Sequence, residues 1–219
     1  MRRPFDELAA VLDDLGLETV DGALFDVGVS SMQLDRPERG FSLAAGGPLD
    51  MRMSAEGPTA YDVLAERSES ELADLIYNFG EDRAARRIAR AIVGARVAGR
   101  LPTNTLELAR LVSGVVHRSG KRERTHPATR TFQALRIAVN DELGQLERGL
   151  DAAIARVRPG GRIAAISFHS LEDRIVKIRF RSDERVARVT KKPLLAGDDE
   201  LARNPRSRSA KLRVAERLP

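Results

Sequence analysis

Apolar positions along this chain change period several times, and the changes mark out its elements. Phe5, Leu8, Leu12 and Leu15 recur at helical spacing and Gly16 follows them, predicting an opening amphipathic helix closed by a glycine cap. Residues 23–29 form a short apolar run holding one acid, Asp26. Such a run reads as a buried strand that delivers side chains to a cleft at its carboxyl end. From Ser30 to Gly57 the proline, glycine and charged content predicts a long ordered loop, usually a functional feature in a compact domain.

The period is then helical. Ser68 and Glu71 form a capping-box pattern ahead of Leu72, Leu75, Ile76 and Phe79, with Gly80 as the stop. Ala85, Ile88, Ala89 and Ile92 predict a second helix, and Thr105 caps a third through Leu108, Leu111, Val112 and Val115. Pro127 opens a long helix through Phe132, Leu135, Val139, Leu143, Leu146 and Leu150 that ends before Pro159, Gly160 and Gly161. Residues 163–168 read as a second buried strand, and Ser170 as the cap of a helix through Leu171, Ile175 and Val176. Two β-prone runs, 186–190 and 212–215, supply closing strands.

Composition narrows the chemistry. The chain of 219 residues has no cysteine, which removes disulfides, thiolate zinc sites and iron–sulfur clusters. It also removes methylation at carbon 5 of a pyrimidine, which normally begins with thiolate attack on the ring, so any base methylation falls on a heteroatom. No metal site is expected. No run of apolar residues is long enough to span a bilayer, and MRRPFDELAAVLDDL has acids where a signal peptide needs an apolar core; the expected compartment is the cytoplasm. The net charge of +5 is concentrated locally: Arg83, Arg86, Arg87 and Arg90; then Arg118, Lys121, Arg122 and Arg124; then Arg203, Arg206, Arg208, Lys211 and Arg213. Arginine forks match phosphate and stack on bases, so these clusters suit RNA as well as a solvated surface.

The segment LFDVGVSSMQLDRPERGFSLAAGGPLDMRM from Leu24 is followed, in order, by YNFGEDRAARRIARAIV from Tyr77, HPATRTFQALRIAVNDEL from His126, PGGRIAAISFHSLEDRIVK from Pro159 and NPRSRSAKLRVAER from Asn204. Together these blocks resemble the MraW family of methyltransferases, which act on the exocyclic N4 of a cytidine in 16S ribosomal RNA of the small subunit, with S-adenosyl-L-methionine as methyl donor. The resemblance implies an α/β fold, part of a Rossmann-like class I methyltransferase sheet with an inserted all-α domain. The methyltransferase domain is expected at 1–47 and 127–219, and a helical substrate-recognition insert at 48–126. It further implies cofactor-binding roles for Phe5, Asp26 and Gln33.

The family pattern places a glycine-rich loop of the GGHS type and a ribose-binding acid upstream of the Asp26 strand. Before Asp26 this chain offers only Gly16 and Gly22, which read as a cap and a strand start. An N-terminally truncated enzyme is therefore expected, with weak cofactor binding and an exposed sheet edge that lowers solubility.

Candidate catalytic residues are Asp26 and His169. The exocyclic amine of cytosine is a poor nucleophile because its lone pair is delocalised into the ring, and an acceptor held against it localises that pair. Asp26 suits this role. If the two strands are parallel neighbours, the loop after the second faces the same cleft, with Phe168 able to stack and His169 able to hydrogen-bond a base taken out of its helix. Arg39, Asp50 and Arg52 are further substrate-contact candidates, and His126 reads as a helix-start residue. A non-catalytic RNA-binding fragment is the alternative. A serine hydrolase is excluded, since GVSS lacks the G-x-S-x-G elbow.

Overall fold

A computed structural model describes residues 3–54, 56–116 and 125–219. After a 3-10 turn at Phe5–Glu7 come α1 (Leu8–Asp14), β1 (Val20–Asp26), α2 (Ser31–Leu34), α3 (Ala60–Glu66), α4 (Glu69–Gly80), α5 (Ala85–Val97), α6 (Thr105–Val115) and α7 (Thr129–Asn140). Then follow α8 (Glu142–Arg156), β2 (Val157–Ser167), α9 (Ser170–Ser182), β3 (Val186–Arg188), β4 (Leu194–Leu195), α10 (Asp198–Arg203) and β5 (Lys211–Arg217). The chain divides into two compact units, Met1–Gly28 with Glu142–Pro219, and Val29–Asp141.

The first unit is mixed α/β, consistent with a methyltransferase fold. Its strands run in the order β1-β2-β5-β3, with β4 also paired to β5; β1 and β2 are parallel and the other pairings antiparallel. Because side chains alternate along a strand, Phe25, Ile163, Ala165 and Ala215 point to one face, where Leu146, Leu150 and Ile154 of α8 and Val176 and Phe180 of α9 bury them. On β1 the other face carries Leu24, 68% exposed, and Asp26.

β1 lies three residues earlier than the apolar run suggests. Val27 still donates its N–H to the Ile166 carbonyl, but Gly28 then turns at φ 94° and Val29 packs into the core of the other unit. β2 begins at Val157, well before the predicted 163. Its pairing jumps from Val20↔Val157 to Gly22↔Arg162, so the Pro-Gly-Gly segment is an excursion within the strand and not a terminator before it. A Cβ on Gly161 would lie 2.5 Å from the Asp21 carbonyl oxygen, which explains a glycine there.

The second unit is built on α2 to α7 around Leu64, Leu72, Ile76, Ile88, Ile92, Leu108, Val112 and Leu135, and its described residues hold one isolated bridge, Pro48↔Asn104. The unit boundaries fall at 28/29 and 141/142, whereas the family resemblance implies an insert at 48–126. Phe41 and Leu34 from the long loop, and Phe132 and Leu135 from α7, pack into this helical core, and burial rather than loop composition sets the division.

The single long helix expected from Pro127 is two. Asp141 takes φ 47° and its N–H bonds the Ile137 carbonyl, which closes α7 before α8 starts. Gly80 is not a stop either: it is the last residue of α4, the left-handed cap is Glu81, and a Cβ at Gly80 would sit 2.7 Å from the Arg130 carbonyl oxygen. The cap of α6 is Asn104, whose side chain accepts from Glu107 N–H at 3.0 Å, while Thr105 is buried and donates to the Ala45 carbonyl. The predicted Ser68–Glu71 capping box is present. α2, α3, α10 and β4 are additions to the predicted elements.

Candidate functional site

The parallel register Asp26↔Ile166 brings the carboxyl ends of β1 and β2 side by side, so Asp26 and the Ser167–His169 segment occupy the same end of the sheet. Asp26 is exposed, and its side chain has no hydrogen bond or ion pair among the described residues. It is an acceptor held on a strand end and uncommitted to the fold. Gly28, two residues on, lies over the same segment: a Cβ there would meet the Phe168 ring at 3.5 Å and Glu172 Oε1 at 3.8 Å.

The loop after β2 is held from within. Glu172, 2% exposed, accepts the Phe168 N–H at 2.7 Å and the His169 N–H at 3.1 Å through Oε2. His169, and not Ser170, is the N-cap of α9. Its Nδ1 accepts the Glu172 N–H at 3.4 Å, completing a capping box in which each residue holds the other's backbone. The His169 side chain is 11% exposed, and its Nε2 stands 3.1 Å from Glu172 Oε1 at an angle that makes no good hydrogen bond. The expected base-contacting histidine thus lies mostly inside the loop it organises. Nothing in the residue type announced Glu172, although the spacing of three from His169 is that of a capping box.

Glu142, at the start of α8, also approaches: one ligand atom each from Glu142, His169 and Glu172 lie within 4.8 Å of one another. That donor set suits a divalent cation in kind. The capping bond, however, uses the Nδ1 lone pair, which leaves the proton of the neutral imidazole on Nε2 and gives a cation nothing to bind there.

Phe5 meets Phe25 edge-on, with ring centroids 6.1 Å apart and planes at 89°, against α8 at Gly149. A Cβ at Gly149 would stand 3.1 Å from both rings, so that glycine is what admits the aromatic pair. Phe25 and Asp26 alternate across β1, which puts Phe5 on the helix-covered face and Asp26 on the other. In the helical unit, Gln33 Oε1 accepts the Ser30 N–H at 2.9 Å while Ser30 Oγ accepts the Gln33 N–H at 3.3 Å, capping α2. The amide nitrogen of Gln33 is left over among the described residues.

The long-loop candidates serve the loop itself. Arg39 Nη2 donates to the Arg52 and Met53 carbonyls at 2.6 and 3.3 Å, and its guanidinium stands 5.9 Å over the Phe41 ring. Arg52 donates to both oxygens of Asp50 at 2.8 and 2.9 Å, and this hydrogen bonding outweighs burial and holds the Asp50 carboxyl below its ordinary range. Asn140 ties the loop to α7, accepting the Met53 N–H at 2.6 Å and donating to the Met51 carbonyl at 2.7 Å.

Of the basic clusters, Arg83, Arg86 and Arg87 are exposed and Arg90 pairs with Glu69 at 3.5 Å. Arg118, Lys121, Arg122 and Arg124 lie outside the described residues. Arg213 is buried: it donates to the two Asp173 oxygens at 2.7 and 3.1 Å, and although burial opposes ionisation, this pair keeps the Asp173 carboxyl below its usual range. His126 acts near its helix start, Nδ1 accepting the Ala128 N–H at 3.2 Å. No described helix is long and apolar enough to cross a membrane.

The sequence profile of the MraW methylase family matches residues 1–218. Similar proteins include a ribosomal RNA small subunit methyltransferase H from Geobacter sulfurreducens, 53% identical with 98% of this chain and 75% of the relative aligned. Proteins of the same name from Nitrobacter winogradskyi and Nitratidesulfovibrio vulgaris are 55% and 53% identical, with 97% and 98% of this chain covered and 68% and 72% of theirs. A family match over residues 1–218 and relatives more than half identical along nearly the whole chain show that the chain belongs to the MraW methylase family.

Proposed function

We propose that this protein methylates the exocyclic N4 of a cytidine in 16S ribosomal RNA of the small subunit, with S-adenosyl-L-methionine as donor, in the cytoplasm. The observation that carries the reading is Asp26: an uncommitted carboxylate at the carboxyl end of a parallel strand, in a chain whose relatives are named small-subunit ribosomal RNA methyltransferases. The sheet is read as the later half of a class I methyltransferase sheet and the helical unit as a substrate-recognition insert.

Asp26 and Gln33 suit the cofactor, one as a free acceptor and the other through an amide nitrogen left over by its capping bond. Phe5, half-buried and edge-on to Phe25, is read as a further cofactor contact through the part of its ring left open. The bound cofactor supplies a sulfonium-activated methyl group. The protein's own work is to orient the amine and localise its lone pair, which Asp26 does by accepting a hydrogen bond from the amine N–H and taking its proton as the new N–C bond forms. His169 and Glu172 fix the backbone carrying Phe168, whose ring is half-buried beside Gly28 and offers a stacking surface to the base.

The test is methylation of small-subunit particles by the wild type and by Asp26→Ala, with the product nucleoside identified by mass spectrometry. A loss of at least about a hundredfold with an unchanged melting temperature is expected, within the range for removing a general base. Activity within twofold of wild type removes Asp26 from the mechanism. A product methylated on carbon 5 or on the ribose refutes the amine chemistry.

A further inference from the structure

The turn between α4 and α5 carries a surface that the fold does not use. Tyr77, in the last turn of α4, is 60% exposed. Its carbonyl accepts the Glu81 N–H at 3.0 Å, and the Glu81 carbonyl accepts from Arg130 Nη1 at 2.8 Å. These hydrogen bonds set Tyr77, Arg130 and the start of α5 around one turn. Arg83, Arg86 and Arg87 follow at once, all exposed and with no ion pair among the described residues. Asp82, which sequence alone offers as their partner, is buried, and its Oδ1 accepts the Ala84 N–H at 2.8 Å.

This arrangement works against helix stability. The first turn of α5 has no acid, and cations there face the positive end of the helix dipole. Repulsion among the three arginines and with the backbone N–H groups favours an anion from outside. An exposed aromatic ring in the last turn of the helix that leads into such a patch selects among anions, because a nucleic acid strand offers phosphates to the arginines and a base face to the ring.

We infer that Tyr77, Arg83, Arg86, Arg87 and Arg130 form a docking surface for single-stranded RNA, with the arginines on phosphates and Tyr77 under a base. The inference rests on the RNA-substrate reading above and locates where the strand is gripped. It requires no cofactor, so it is tested by binding alone.

The experiment is fluorescence anisotropy of the full chain with a short, labelled, cytidine-containing single-stranded RNA over a salt series. Replacing Arg83, Arg86 and Arg87 together by Glu is expected to weaken binding at least tenfold and to flatten the salt dependence by a slope of about 2, at roughly 0.7 for each phosphate no longer neutralised. Tyr77→Ala is expected to weaken binding about tenfold at an unchanged slope, and Tyr77→Phe to restore it, since stacking needs the ring and not the hydroxyl. A triple Arg→Gln variant gives the same readout if charge reversal impairs folding. Lys191→Glu with Lys192→Glu changes charge on exposed residues of the sheet unit and should leave affinity within twofold.

Wild-type affinity in the triple variants overturns the proposal, as does equal loss in the lysine control. Displacement of the RNA by poly-glutamate at equal charge concentration also overturns it, marking the patch as a site for acidic polypeptides. If RNA affinity behaves as expected while Asp26→Ala leaves methylation intact, the docking surface stands and the catalytic reading falls. The reverse pattern separates them the other way.

Discussion

The long loop of the helical unit and the carboxyl end of β1 treat their polar residues in opposite ways. In the helical unit the long loop is rich in chemically expressive side chains, yet Arg39, Asp50 and Arg52 are taken up by backbone groups and one another, and Asn140 of α7 serves the same loop backbone. In the sheet unit Asp26 sits on a regular strand whose hydrogen bonds need no help from it, and its carboxylate is left open. The contrast follows from backbone accounting. A loop has no ladder to satisfy its N–H and C=O groups and recruits side chains to do so, whereas a strand end frees its side chains for chemistry.

The sharpest way to break this contrast is to remove a side chain that the loop depends on. Asn140→Ala strips the Met51 carbonyl and the Met53 amide of their partner in a half-buried setting. A destabilisation of about 2–4 kcal/mol is expected, two hydrogen bonds at 1–3 kcal/mol each with partial rescue by water. Chemical denaturation measures it, and a change below about 0.5 kcal/mol would show that the loop does not need its polar ties. Gly80→Ala comes next. Its Cβ would crowd the Arg130 carbonyl at 2.7 Å, so α4 and α7 must separate slightly, at about 1–3 kcal/mol. A stabilised variant would instead make Gly80 an ordinary helix glycine.

A smaller effect is expected with pH. Backbone and side-chain hydrogen bonds from Ser68 lower the Glu71 carboxyl to about 2, and the Arg185 hydrogen bond lowers Asp183 to about 2. Both groups are depressed in the folded state, so their stabilisation is complete above the ordinary values of 4.5 and 3.8 and is lost as pH falls from there through about 2. Melting temperature should decline across that window, and Glu71→Gln with Asp183→Asn should flatten the decline. An unchanged slope would mean that neither interaction matters to stability. The smallest effect belongs to Leu24→Thr on the exposed face of β1, expected within about 0.5 kcal/mol of wild type.

What is legible in the chain, and what is not, sorts along the same line. Periodic burial is legible: α4, α5 and α6 lie where apolar spacing puts them, because spacing reports the buried face directly, while β1 and β2 are legible as strands but begin three and six residues before their apolar runs. Caps are legible by type, and at Ser68 by position, but not everywhere by position. Asn104 and not Thr105, and His169 and not Ser170, take the cap, since adjacent polar residues compete and only the packing decides which one leaves the helix. Two further capping arrangements, Thr59–Asp62 ahead of α3 and Ser30–Gln33 ahead of α2, sit before helices too short to show a period. Gly80 is invisible as a packing residue because its neighbour, Arg130, is distant in sequence. For the candidate site, Asp26 and the neighbouring loop follow from two strands read as parallel, while the inward placement of His169 depends on Glu172, whose role a single sequence does not show.

The pairing of β1 with β2 has a kinetic side. Phe25 and Ala165 are partners separated by about 140 residues, a span whose closure from an unstructured chain is entropically costly. The helical unit lies wholly within that span, and many of its helices pack on near neighbours in sequence, such as α4 with α5 and α5 with α6. Local pairings form fast and distant ones slowly. If the helical unit condenses first, the flexible chain between the two strands shrinks to a few short links, and the sheet closes over a much smaller loop. Refolding should therefore show helix signal ahead of the protection of β1 and β2 amides, and variants that loosen the helical core should slow formation of a sheet they never touch.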